Sequence, residues 1–375
     1  MPVVEVAPAL RAVPVFSEPQ VAPPELRDKA VRFFQEQRRK EQERVARFGE
    51  VRPQISTLWN GQRFIAVRNK LYYSDKWKFF ADFLRDHVPH VFGKQWFDAE
   101  VAKPEGDRHP VMQWRTQGIR YMNAQQPNAA GIFGAIPNGF LAAYMAFAYD
   151  LYIVEDNGGL DEALLARLKH REQFQGARHE LFAEATCYRA GFTVQHENER
   201  DGTRRHAEFS AKHTRTGQML SVEAKSKHRA GVLAMPGAPQ PHEKLSLRFG
   251  GLLNDALAKN PTYPLVVFID TNLPVRAADR LYVPQALNPL VPSRIFLALV
   301  ERVRREHVGV DPYALLVFTN HPHHYAAANE LDPRKHLLSV QSLQPPAGVA
   351  HRDAVLKLHQ AAELYGNIPN EFPAL

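Results

Sequence analysis

Two hairpin-linked segments, Arg205–His213 and Gln218–Lys227, constrain this chain more than any other feature. In the first, Ala207, Phe209 and Ala211 alternate with His206, Glu208 and Ser210. In the second, Leu220, Val222 and Ala224 alternate with Ser221, Glu223 and Lys225. A period of two places one set on a buried face and the other on the opposite face of a sheet. Gly217 closes the connecting Thr214–Gly217 turn and suits a tight hairpin with one positive-φ residue. Upstream, Gly176 to Ala190 has a helical composition with Gly191 at a good C-cap position, and Phe192–Glu197 reads as a further strand. Glu223 and Lys225 thus project from one side of a strand, with Glu208 able to stand beside them. Two carboxylates and an ammonium on one patch of sheet form a candidate site.

This arrangement resembles the PD-(D/E)XK nuclease superfamily, the fold of many restriction and repair nucleases, over roughly residues 176–270. A helical glutamate (Glu180, with Glu184 the lesser candidate), Glu208 before Phe209, and Glu223-Ala224-Lys225 each fall on the element where that family carries its site. The chain departs from the family in having Glu208 where Asp is usual and Ala207 where Pro usually precedes it. The resemblance implies an α/β fold: a restriction-endonuclease-like αβββαβ core with a mixed sheet. It implies a Mg2+ (or Mn2+) site held by Glu208, Glu223 and the carbonyl of Ala224. Lys225 would act on the attacking water or on transition-state charge, and Glu180 would enter as a ligand or as a group behind the ligands. Lys227 and Arg229 beyond the strand, with Arg204 and Arg205 before it, are candidate phosphate contacts.

Charge agrees with such a partner. The chain carries 47 Lys and Arg against 40 Asp and Glu, a net charge of +7. From Arg200 to Arg229 there are eight basic residues and three acidic ones, so the excess gathers where the candidate chemistry lies. A single cysteine, Cys187, excludes an internal disulfide and fits a reducing, cytoplasmic setting. The uncharged stretch from Ala129 to Tyr149 is split at Pro137-Asn138-Gly139. It leaves about a dozen residues before Asp150, short of the ~20 that span a bilayer, so a buried turn and helix are expected rather than a membrane segment.

With 375 residues there is room for two or three domains. Residues 1–24 read as an extended arm, 25–157 as a smaller α+β domain that recognises substrate or a partner, and 158–375 as the nuclease-like domain. From Pro24 to Gly49 charged residues interleave around a thin stripe of Val31, Phe34, Val45 and Phe48, which reads as a solvated helix packed along one seam. All four tryptophans, at 59, 77, 96 and 114, fall in the N-terminal part. Base stacking is one reading of that cluster, and the core of a small domain is the preferred one. Lys244–Lys259 reads as a helix and Pro264–Asp270 as a buried strand. Further on, Ser293–His307 reads as a helix, Tyr313–Thr319 as a strand and Asp353–Tyr365 as a closing helix. His321-Pro-His-His324 suggests zinc, but irregular ligand spacing favours an exposed loop.

The function expected is hydrolysis of DNA phosphodiester bonds by a metal-dependent nuclease, work of the kind done in genome defence or repair. The alternative is a nuclease fold that only binds DNA or a partner. The partners implied are DNA and either a second copy of the chain or a protein of a defence or repair system.

Overall fold

The computed structural model describes residues 23–129, 134, 136–196, 207–238, 240, 249–259, 261–272, 282–283, 291–292, 294–307, 312–321, 337–341 and 352–373. Contacts divide the chain into two units, Met1–Arg44 and Val45–Leu375. Helix α1 (Pro24–Phe48) supplies the described part of the first. Its charges pair along the helix, Arg39 with Glu36 and Glu43, and Arg44 with Glu41. Val31 and Phe34, the expected seam, are exposed.

The second unit opens with an antiparallel sheet of β1 (Ile55–Trp59), β2 (Gln62–Val67) and β3 (Lys70–Ser74). Ile65 and Val67 point into a helical core. That core is built by α2 (Phe80–Phe92), α3 (Lys94–Val101), α4 (Pro110–Asn123), α5 (Gly139–Asn157), α6 (Glu162–Lys169) and α7 (Phe174–Arg189). Asn138 caps α5 by accepting from the Leu141 N–H at 2.9 Å, so the turn expected at Pro137-Asn138-Gly139 begins a buried helix. No described helix is long and apolar enough to cross a membrane. The core runs straight through position 157. Phe80, Phe83 and Trp114 share it with Leu164, Phe174 and Leu181, so the units 25–157 and 158–375 do not have separate cores. The glycines at 158 and 159 end α5 without separating its apolar faces from α7.

The second layer is a six-stranded mixed sheet in the order β11-β10-β7-β6-β5-β4. Its members are β4 (Phe192–His196), β5 (Phe209–His213), β6 (Met219–Ser226), β7 (Leu265–Asp270), β10 (Leu315–Thr319) and β11 (Leu337–Gln341). A small pair, β8 (Tyr282–Val283) and β9 (Val291–Pro292), lies apart from it in the pairing. Strands β4, β5 and β6 form an antiparallel meander; β6, β7 and β10 run parallel; β11 returns antiparallel.

Helix α8 (Gly250–Leu257) connects β6 to β7, the long crossover that a parallel pair requires. It covers one face with α9 (Arg294–Glu306), burying Leu253, Val267, Ile269, Val303 and Phe318 together. Helices α7 and α10 (Arg352–Glu363) cover the other, where Phe182, Phe209, Val222, Phe268 and Leu358 meet. The fold is therefore mixed α/β with helices on both faces of a mixed sheet. Gly191 ends α7 at φ +81°. A Cβ there would lie 2.6 Å from a Glu50 carboxylate oxygen, so both backbone and space call for glycine.

Candidate functional site

Alternation along β6 works as its pattern demands. Leu220, Val222 and Ala224 join the core beneath α7, while Glu223 and Lys225 belong to the α8 face, their register partners on β7 being Val267 and Ile269. Glu223 is fully buried, and the Lys225 ammonium lies 2.6 Å from its Oε1. A second ammonium reaches the same oxygen: Lys259 Nζ, just past α8, at 2.7 Å. The same nitrogen stands 3.5 Å from Glu208 Oε1. One lysine thus bridges the two predicted carboxylates. Apart from these ion pairs, both Glu223 carboxylate oxygens are buried with no hydrogen-bond partner among the described residues.

Glu208 arrives there through an irregularity. Phe209 is the register partner of Val222, yet the Glu208 N–H also donates to the Val222 carbonyl at 3.1 Å. Two residues of one strand stand against one of the next, the arrangement of a β-bulge, which re-aims side chains and often lies beside functional sites. The Ser221 N–H donates to the Pro264 carbonyl just before β7 at 3.1 Å, and the Lys227 N–H to the Asp270 carbonyl at its end at 2.8 Å. Backbone groups of the even residues between them, Ala224 included, therefore point toward the β5 side, where Glu208 lies.

Electrostatics bind these groups together. Burial, joined by the Glu208 charge, raises the Glu223 carboxyl above its usual range against the pull of Lys225 and Lys259. Lys259 loses by desolvation but gains more from Glu208 and Glu223, so its ammonium holds its proton more tightly than usual. Glu180, in the first half of α7, is buried and moved up to about 7 by desolvation, with Glu208 adding to the shift. Both its oxygens accept from Arg167, at 2.7 and 2.9 Å, a bidentate pair that opposes the shift without cancelling it. Glu180 is thus coupled electrostatically to the site while its hydrogen bonds go to α6. Glu184, the lesser candidate, faces His196 on β4 at 3.3 Å instead.

The predicted phosphate contacts divide. Arg204 and Arg205 lie outside the described residues. Lys227 is half-buried at the end of β6. Arg229 is buried, 7% exposed, and its Nε donates to the Thr271 carbonyl at 3.1 Å. Its guanidinium holds the loop after β6 to the end of β7, so the surface role expected for it is corrected. His321 is likewise buried rather than exposed, packing on Phe182 and Tyr365, while residues 322–324 lie outside the described set.

His321 joins a second buried cluster. His179, Asp270 and His321 each offer one ligand atom, all within 4.8 Å of one another. Burial holds the His179 imidazole neutral, the form that ligates metals. Asp270, however, is ion-paired with the buried Arg178 and accepts the Asn272 N–H at 3.3 Å. The His179 ring nitrogens are buried with no hydrogen-bond partner among the described residues, and the Arg178–Asp270 pair is what ties α7 to the end of β7.

Sequence reasoning missed Lys259 and Arg167. Lys259 follows the helix between β6 and β7, a position visible in the sequence only once that helix is known to lie on the Glu223 face. Arg167 carries no local signal. The chain matches no known family, no curated protein and no solved structure.

Proposed function

We propose that this protein is a metal-dependent nuclease of restriction-endonuclease-like fold that hydrolyses DNA phosphodiester bonds. The observation carrying the reading is the buried Glu223 carboxylate beside Glu208, bridged by Lys259 and capped by Lys225. The order of elements supports it: α7, β4, β5, β6, α8, β7 runs helix, three strands, helix, strand. Acidic residues with an orphaned, buried oxygen at Glu223 fit a hard divalent cation, for which Glu208, Glu223 and the Ala224 carbonyl would be the holders. When bound, Mg2+ or Mn2+ would supply charge neutralisation and polarisation at the phosphate.

The remaining roles belong to the chain. Lys225, anchored by Glu223, presents an ammonium that can orient the attacking water or meet developing negative charge on the phosphate. Glu180, held by Arg167, would enter as a ligand or as a group behind the ligands. Lys227, with Arg204 and Arg205, would contact flanking phosphates.

Incubating the protein with plasmid and linear DNA in Mg2+, Mn2+ or EDTA tests the reading. Metal-dependent cleavage is expected in the wild type and lost in Glu223→Ala and Lys225→Ala, with DNA binding retained. Glu208→Asp should keep some activity and Glu208→Ala none. Cleavage that survives Glu223→Ala and Lys225→Ala would put the active site elsewhere. A second reading, a nuclease fold that only binds DNA, draws on the two ammoniums that already neutralise Glu223. DNA binding by folded wild type with no cleavage under either ion would favour it.

A further inference from the structure

Among the described residues, one face of the sheet β1-β2-β3 is left exposed. Ile65 and Val67 are fully buried on the inner face. On the outer face, register sets Thr57 opposite Phe64 and Phe64 opposite Tyr73, while Trp59 lies two residues along from Thr57. Trp59 and Tyr73 are 64% and 61% exposed, and Leu71 and Ile55 beside them are exposed as well. The rings form a row. Trp59 and Phe64 have centroids 6.2 Å apart, and Phe64 and Tyr73 are stacked at 5.4 Å. Trp114 is buried, and Trp77 and Trp96 pack against the core; Trp59 alone of the four tryptophans departs from the expected core role.

Charge identifies the occupant. From Val51 to Phe80 the chain has six basic residues and one acidic residue, Asp75. Lys70 pairs with Glu155, Arg52 donates to the Asp156 carbonyl and Arg63 lies over the Phe372 ring, so these three are spent within the chain. Arg68, Lys76 and Lys78 are exposed. Protein interfaces are depleted of lysine at their centres, whereas exposed lysines at 76 and 78, just past the strand that carries Tyr73, beside solvent-exposed rings match phosphates interleaved with flat bases. Bases within a duplex already stack on each other, so only a single strand can offer them to the rings. We propose that the outer face of this sheet binds single-stranded nucleic acid by stacking bases on Trp59, Phe64 and Tyr73. The binding does not depend on hydrolysis, and its failure and that of the nuclease reading are separable.

The test is fluorescence anisotropy of a labelled oligothymidylate with the full chain in EDTA, where metal-dependent cleavage cannot occur. Trp59→Ala and Tyr73→Ala change exposed positions, and circular dichroism checks that they fold. Each should weaken binding at least about fivefold. Trp59→Phe should stay near wild type because any ring can stack, and Leu71→Ala should change little. The proposal is overturned if the oligonucleotide does not bind, or if Trp59→Ala and Tyr73→Ala leave its affinity unchanged. Equal loss from Leu71→Ala would also overturn it, since the face would then be a general apolar contact. So would sedimentation showing a dimer that Trp59→Ala and Tyr73→Ala dissociate, which would make the face an interface between copies. Oligothymidylate binding that needs the rings, in a protein that cleaves nothing with Mg2+ or Mn2+, would keep this inference and remove the nuclease.

Discussion

Replacing Lys259 with methionine isolates the contact that sequence reading overlooked. The ammonium lies 2.7 Å from Glu223 Oε1 and 3.5 Å from Glu208 Oε1. Glu223 is fully buried, and the Lys259 side chain is 21% exposed. A hydrogen bond to a charged group contributes about 1.5–3 kcal/mol, and breaking a fully buried pair costs about 3–5 kcal/mol. Lys225 still holds Glu223 at 2.6 Å after the change, so the carboxylate is not left without a cation, and the lower range applies. Lys259→Met should therefore cost about 2 kcal/mol in urea unfolding at neutral pH. It also removes a charge that lowers the Glu223 pKa, so that pKa rises further. A carboxyl with a raised folded pKa loses stability as pH increases, so the deficit should grow from acidic to neutral pH. The decisive measurement is the double-mutant cycle with Glu223→Gln, where the pair should couple by about 1 kcal/mol or more. Additivity within about 0.5 kcal/mol would mean that the two groups do not interact, and the description of the site would fail.

Other outcomes follow from the same coordinates. The Glu180 carboxyl lies near 7 in the folded chain against an ordinary 4.5, so its contribution to stability is fully present below about 4.5 and lost as pH rises through 7. Compared with Glu180→Gln, which cannot titrate, wild-type stability should fall by about 3 kcal/mol across that window, and parallel pH profiles would contradict it. DNA affinity should drop steeply with salt, and Lys227→Ala should lower both affinity and the salt slope. Arg229→Ala should instead lower the unfolding midpoint and leave affinity unchanged, because its guanidinium serves the chain's own backbone; a lost salt-slope increment would return it to the surface. Gly191→Ala should cost at least about 1 kcal/mol by denaturant unfolding, given its φ of +81° and the Glu50 carboxylate in its path.

The sequence alone determined what is local. The period of two in β6 settled that Glu223 and Lys225 share a face, because each successive side chain of a strand must point to the opposite side. Gly191 and Gly217, both at positive φ, punctuated the helix and the hairpin for steric reasons that belong to single residues. Asn138 marked the start of α5 by a cap within its own turn. What crosses between elements was decided only by tertiary structure. No window of sequence relates Lys259 to Glu208, because the contact exists only after α8 has folded back over the strand pair. Arg229 and Lys227 look alike as basic residues past a strand, yet the chain closes over one and leaves the other half-buried. Trp59 and Trp114 are the same residue type, but one lies on the outer face of a sheet and the other is buried in the helical core. Periodicity names the two faces of an element; which of them meets solvent depends on what the rest of the chain packs against it.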